Sequence, residues 1–218
     1  LSFFAQAIVL VAMVLAAPTG RASEPSTPEV LFRNVRVFDG RSASLSGPTA
    51  VLVRGNTIAA VGAGAVTSSP AATIVDGSGR TLMPGLIDAH VHIMFATIPQ
   101  VAVLTSDIGF VNVAAAKAAN EMLLRGFTSI RDLGGPAFGL KQAIDAGLAP
   151  GPRIWPSGAF ISQSGGHGDF RLPNDMPARP GDFTYSERVG AAAIADDPDT
   201  VRKRAREQLA LGASQIKL

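Results

Sequence analysis

Apolar and polar residues change rhythm as the chain is followed from its start. Residues 1–17 are almost wholly apolar, a run too short for a comfortable membrane span. Residues 30–81 carry short, partly alternating apolar runs, the pattern of half-buried strands. One run covers residues 31–38 and closes on the turn signal Asp39-Gly40. Val51-Leu52-Val53 and residues 57–61 flank Gly55-Asn56, which predicts a tight hairpin with its glycine first. Thr73-Ile74-Val75 forms a further strand, closed by Asp76-Gly77-Ser78-Gly79. No arrangement of residues in this segment points to chemistry.

Beyond residue 81 the rhythm becomes an alternation of strands and helices. Pro84-Gly85 is a turn, and Leu86-Ile87 leads from it into a strand where Asp88, His90 and His92 alternate with Ala89, Val91 and Ile93. Val111, Ala115, Ala118 and Met122 fall at helical spacing, with Gly126 where that helix would end. Residues 128–132 form a second strand, running into Leu133-Gly134-Gly135. A short helix over 138–146 ends at Gly147, and residues 153–158 make a third, less regular strand. Asp197-Pro198 opens another helix, with Asp as N-cap and Pro in the first turn. Its expected inner face is Val201, Ala205 and Leu209, and its expected solvated face is Arg202, Lys203, Arg204 and Arg206. Gly212 closes it, and residues 215–218 form a fourth strand. Such alternation means an α/β fold with a parallel sheet, either doubly wound or a (β/α)8 barrel. No G-x-G-x-x-G phosphate fingerprint follows any strand.

Composition narrows the function classes. With 47% hydrophobic and 17% charged residues, the chain has enough apolar surface for a real core. A net charge of only +2, with no block of basic residues, gives no footprint for nucleic acid. The absence of Cys excludes disulfides, a thiolate metal site and a lipidated N-terminal Cys. The apolar start is followed by Pro18, Thr19 and Gly20, and Gly20-Arg21-Ala22 offers small residues for a signal peptidase. We therefore expect residues 1–22 to be a signal peptide, residues 23–29 a linker, and the mature protein to be periplasmic or secreted without a membrane span. An uncleaved N-terminal anchor is the alternative.

The chemistry gathers on one strand. Side chains two residues apart in a strand share a face, so His90 and His92 project together. Paired imidazoles suit a borderline metal such as zinc. The run Pro84-Gly85-Leu86-Ile87-Asp88-Ala89-His90-Val91-His92 resembles the first barrel strand of the metal-dependent amidohydrolase superfamily, and the similarity extends from about Val30 to Leu218. The resemblance implies a partial (β/α)8 barrel with about four of its strands over residues 82–218, preceded by a small β-sandwich domain over 30–81.

It also implies a site at the C-terminal ends of the strands. His90 and His92 would be metal ligands, and Lys217 would react with carbon dioxide to give a carbamate bridging two zinc ions. A neutral amine is needed for that reaction, which burial beside cations provides. His167 stands in the glycine-flanked run Gly165-Gly166-His167-Gly168, where the backbone can approach a ligand closely. That loop resembles the Xaa-Pro dipeptidase and imidazolonepropionase-like branch, which includes ochratoxin-hydrolysing amidohydrolases. There His167 would be catalytic and substrate-binding, engaging a carbonyl or carboxylate. Arg131 and Asp132 would hold the barrel mouth together or support the metal ligands from behind.

The implied activity is amide hydrolysis of dipeptides or N-acyl amino acids, with ochratoxin A allowed, by metal-activated water. A cyclic-amide hydrolase of imidazolonepropionase or hydantoinase type is the alternative enzyme. The resemblance allows a homo-oligomer. The family's further histidines on the fifth and sixth strands, and the Asp on the eighth, have no counterpart here. The chain as written is accordingly expected to be an inactive, non-catalytic portion of the enzyme.

Overall fold

The computed structural model describes residues 27–175, 179 and 181–218. The expected signal peptide, and residues 23–26 of the expected linker, lie outside them. The chain divides between Met83 and Pro84 into two compact units.

The first unit is a five-stranded sheet. Its strands are β1 (Glu29–Val37), β2 (Thr49–Arg54), β3 (Thr57–Val61), β4 (Thr73–Asp76) and β5 (Thr81–Leu82). The order is β3-β2-β1-β4, with β5 also on β1; β2 runs antiparallel to both neighbours, while β4 and β5 run parallel to β1. The β2–β3 hairpin turns at Gly55, whose φ of 60° is left-handed, while Asn56 has no positive φ. That is the glycine-first turn, matched to the twist of the flanking strands. Val35, Val51, Leu52 and Ala65 are its buried apolar residues.

One buried residue of this sheet is charged. The carboxylate of Glu29 accepts from Arg54 Nε at 2.9 Å, from the amides of Ser68 and Ser69 at 2.8 and 3.2 Å, and from Ser68 Oγ at 2.9 Å. The Ser68 amide, and next the Arg54 side chain, hold its pKa down at about 2.

The second unit alternates strands and helices along β6 (Leu86–Val91), a 3₁₀ turn (Ile93–Phe95), α1 (Gln100–Thr105), α2 (Ile108–Leu124), β7 (Phe127–Asp132), α3 (Phe138–Asp145), β8 (Arg153–Pro156), β9 (Phe160–Ser162), α4 (Tyr185–Arg188), β10 (Ala192–Ile194) and α5 (Pro198–Ala210). β6, β7 and β8 form one parallel sheet, and β9 pairs in parallel with β10. This is a partial (β/α)8 barrel. Helix α2 begins where Asp107 accepts from the Gly109 amide and ends before Gly126, at φ 95°. It buries Val111, Ala115, Ala118, Ala119 and Met122 in one cluster with Ile130 of β7 and Ile154 of β8. Each fully buried Val or Ile there contributes about 1.5–3 kcal/mol.

Helix α5 starts as expected, with Asp197 accepting from the Asp199 and Thr200 amides. Its faces need correction. Val201 and Ala205 pack on Ala159, Ile161 and Ala193, but Leu209 is 54% exposed. Two helical turns are about 7.2 residues, which carries the inner face from Val201 to residue 208. Gln208 is the buried one, and its Oε1 accepts from the Ala159 amide at 2.9 Å. Arg204, expected in solvent, is largely covered: it pairs with Glu187 and Glu207 and stands over the Phe183 ring at 4.8 Å.

The third barrel strand is also broken. It stops at Pro156, turns through Gly158 at φ 74°, and resumes as the separate strand β9 beside β10. The last residues carry no strand ladder. Two backbone bonds seat them: Ser214 N donates to Pro156 O, and Ile161 N to Lys217 O at 3.0 Å.

Candidate active site

The histidine pair sits where β6 ends. Its strand lies close on β7, because a β-carbon at Gly85 would fall 2.1 Å from Thr128 Oγ1. Register with β7 slips between Asp88 and Val91, and Asp88 Oδ1 accepts from the His90 amide at 3.0 Å. The two imidazoles face each other edge-on, centroids 5.3 Å apart. His90 is exposed and His92 half-buried.

His92 lies against an aromatic wall. Its ring is 5.1 Å from Phe160 and 6.2 Å from Phe95, and Phe170 packs on both phenyl rings. Buried Nδ1 of His92 has no hydrogen-bond partner. Burial, and next the nearby charges of His90 and Lys217, push the His92 pKa below the usual imidazole value; the charge of His167 adds to this. The structure thus brings His90, His92, His167 and Lys217 into one electrostatic neighbourhood, and it favours the neutral imidazole that a metal requires.

Lys217 is half-buried and arrives through the Ile161–Lys217 backbone bond. His167 is exposed on the loop after β9, which lies flat on that strand. β-Carbons at Gly166 and Gly168 would meet Ser162 Oγ at 2.4 Å and Phe160 Cβ at 2.8 Å.

Asp132 and Arg131 point apart. Asp132 is fully buried and accepts from the Ile93 amide at 2.7 Å and the Gly134 amide at 3.2 Å. It thereby ties the turn after His92 to the end of β7. Burial raises its pKa to about 7, against the pull of both amides. Arg131 is exposed and lies with Ile87, Ser129 and Trp155 along a shallow cleft of about 380 Å³.

Sequence reasoning missed two contributors. Gln215 Nε2 donates to Asp132 O at 3.1 Å and Trp155 O at 2.9 Å, fastening the Lys217 segment across two strand ends. A lone amide in an otherwise apolar strand run was the available signal. The Phe95–Phe160–Phe170 wall had none, since its members are far apart in the chain. A cavity of about 620 Å³ beside Phe138, Glu187 and Arg204 is lined by neither His nor Lys.

Among the described residues no three His, Cys, Asp or Glu side chains cluster as a metal site. The donors are instead two imidazoles and an amine. An imidazole with its buried Nδ1 unpartnered, beside a second imidazole, fits a divalent cation. Lys217 fits as a neutral amine or with an anionic group on its nitrogen, because an ammonium would repel the ion.

Parallel strands alternating with helices, with this histidine pair at the end of the first of them, make up a partial (β/α)8 barrel. Residues 81–218 match the amidohydrolase family, and the chain belongs to that family. It is similar to the ochratoxinase of Aspergillus niger, 34% identical over 158 residues that cover 63% of this chain and 30% of that protein. An adenine deaminase of Deinococcus deserti is 31% identical over 153 residues, covering 67% and 22%. Among solved structures, a prolidase complexed with N-methylphosphonate-L-proline is 35% identical with a TM-score of 0.72, covering 87% of this chain and 46% of its own. The A. niger ochratoxinase structure is 29% identical with a TM-score of 0.67, covering 88% and 46%. The chain thus spans less than half the length of these relatives.

Proposed function

We propose that the protein is a metal-dependent hydrolase of amide bonds in dipeptides or N-acyl amino acids, ochratoxin A among them. The observation that supports it best is the His90–His92 pair, centroids 5.3 Å apart, with the buried Nδ1 of His92 unpartnered and the His92 pKa lowered by burial and by the charges of His90, Lys217 and His167. The names of the similar prolidase and ochratoxinase point to the same substrate classes.

In this reading His90 and His92 hold the metal, and Lys217 joins them as a carbamate. Its neutral amine adds to carbon dioxide, forming an N–C bond and losing one proton, and so gains the anionic oxygens that an amine lacks. Two zinc ions bound there would supply Lewis acidity and a water of lowered pKa. His167 donates a hydrogen bond to the substrate carbonyl or carboxylate, oriented by its glycine loop. Asp132 holds the turn behind His92 through Ile93 and Gly134. Phe160 and Phe95 keep water from the buried side of His92. Residues 1–22 act as an export signal, which N-terminal sequencing of the exported protein checks; a terminus retaining residues 3–15 would refute it.

The test of activity is metal analysis of the purified protein, together with hydrolysis of Xaa-Pro dipeptides, N-acyl amino acids, ochratoxin A and a hydantoin. Bound zinc and chelator-sensitive dipeptide or acyl-amino-acid cleavage are expected. Cleavage of the hydantoin alone would move the assignment to cyclic amides, and chelator-resistant hydrolysis would overturn the metal.

A further inference from the structure

We propose that Asp169 is the positioning residue for His167, its carboxylate clamping the loop of residues 163–171 so that the imidazole is held in one direction. The proposal rests on the reading of His167 as a substrate-contacting group.

The clamp is built from both ends of the loop. Asp169 Oδ2 accepts from the Gly165 amide at 2.7 Å, two residues before His167. Oδ1 accepts from Arg171 Nε at 2.7 Å, and Arg171 Nη2 bonds Oδ2, so the guanidinium engages both oxygens. One carboxylate therefore joins residues 165 and 171 across His167. A bidentate Arg–carboxylate pair fixes direction as well as distance. The Asp169 side chain is only 7% exposed and that of Arg171 18%, so water competes weakly for these bonds. Hydrogen bonding to Arg171, above all, holds the Asp169 pKa at about 2, which keeps the clamp charged at any working pH.

The loop has little freedom to do anything else. The Asp169 amide donates back to Gly166 O at 3.0 Å, and the Gly168 amide donates to Ser162 Oγ at 3.1 Å. Farther out, Asp196 accepts from both the amide and the hydroxyl of Ser164, each at 2.7 Å. His167 itself is exposed, and nothing in its own packing selects a position. What sets its direction is the backbone on either side, and Asp169 is the side chain that spans both sides. A surface loop with only its own glycines would present the imidazole in many directions and lose the gain of a preoriented group.

The test is a double-mutant cycle in the full-length protein: His167→Ala, Asp169→Asn and the two combined, read as kcat/KM on alanyl-proline and N-acetyl-phenylalanine with zinc content measured in parallel. Asp169→Asn is expected to lose about 10–100-fold in kcat/KM with zinc retained, the usual effect of removing an orienting partner. In the His167→Ala background the same change should add nothing, since coupled residues are non-additive. Arg171→Lys keeps the charge but not the two-point geometry, and should lose less, again only when His167 is present. Full activity in Asp169→Asn beside an impaired His167→Ala would overturn the proposal, as would losses that simply add. A fully active His167→Ala would instead overturn the reading of His167, and this proposal with it. If neither probe is turned over, amide hydrogen exchange decides: Asp169→Asn should speed exchange at residues 165–168, and unchanged rates there overturn the clamp.

Discussion

Glu29 of the N-terminal sheet and Asp132 of the barrel unit are two carboxylic acids buried as whole residues. Their surroundings drive them opposite ways. Glu29 has an arginine, a hydroxyl and two amides, and its pKa falls to about 2. Asp132 has two amides and no cation, and its pKa rises to about 7. A satisfied charge behaves as a fastener. An under-compensated one is a cost that the fold carries, and strongly perturbed groups of that kind gather at functional sites. The first unit has arranged its polar burial for stability, and the second keeps its own beside the histidines.

The largest expected effect separates the units by activity. His92→Ala should remove bound metal and lower kcat/KM by at least about 10²–10³-fold, the scale of a lost electrostatic contributor. Glu29→Ala should leave kcat of the folded enzyme unchanged. Metal analysis with steady-state kinetics checks both, and a kcat loss in Glu29→Ala would erase the distinction. Next comes packing: Leu52→Ala, at 2% exposure in the first sheet, should cost about 2–5 kcal/mol in denaturant unfolding, with no change in metal content.

Asp132 gives the third test. Its folded pKa lies above the ordinary value of 3.8, so the native state holds a proton that the unfolded chain releases. In the metal-free protein its contribution is most favourable below about pH 4 and falls away as pH rises through about 7. Asp132→Asn should flatten that slope in melting temperatures taken from pH 5 to 8, and an unaltered slope would place its cause elsewhere. The smallest effect belongs to Glu29. Its folded pKa lies below 4.5, so its contribution is present above that pH and is lost as pH falls towards about 2. Glu29→Gln should blunt acid unfolding in that window, and equal acid sensitivity in both proteins would deny the fastener.

Much of this was legible in the chain because local rules decide it. The strand that carries His90 and ends just before His92, the glycine-first hairpin, the Asp197 cap and the long helix all follow from period, turn chemistry and capping. Strands β9 and β10 did not, since three-residue strands have no measurable period and the second of them is mostly alanine. The burial of Gln208 and Arg204 was hidden for another reason. Their partners Ala159 and Glu187 lie on other elements, and only tertiary folding introduces them. Asp132 could be placed at a strand end, but its missing counter-cation could not be read from its neighbours in sequence. Lys217 reaches the site without the expected ladder, through single bonds made by residues 214 and 217.

The close approach at Gly134 reaches into evolution. A β-carbon there would lie 2.1 Å from the Phe160 ring, in a backbone at φ 150° that side chains resist. Any replacement at 134 therefore demands a smaller residue at 160, and that ring is the one stacked on His92. A change at 134 made first would clash with the ring, and a smaller residue at 160 made first would strip that ring from His92, so the two positions are coupled. Random libraries of this gene should return Gly134 almost unchanged, and the rare escapes should carry a second mutation at residue 160. The packing of Phe160 on His92 thus makes the outcome of a mutation at 134 depend on the residue at 160.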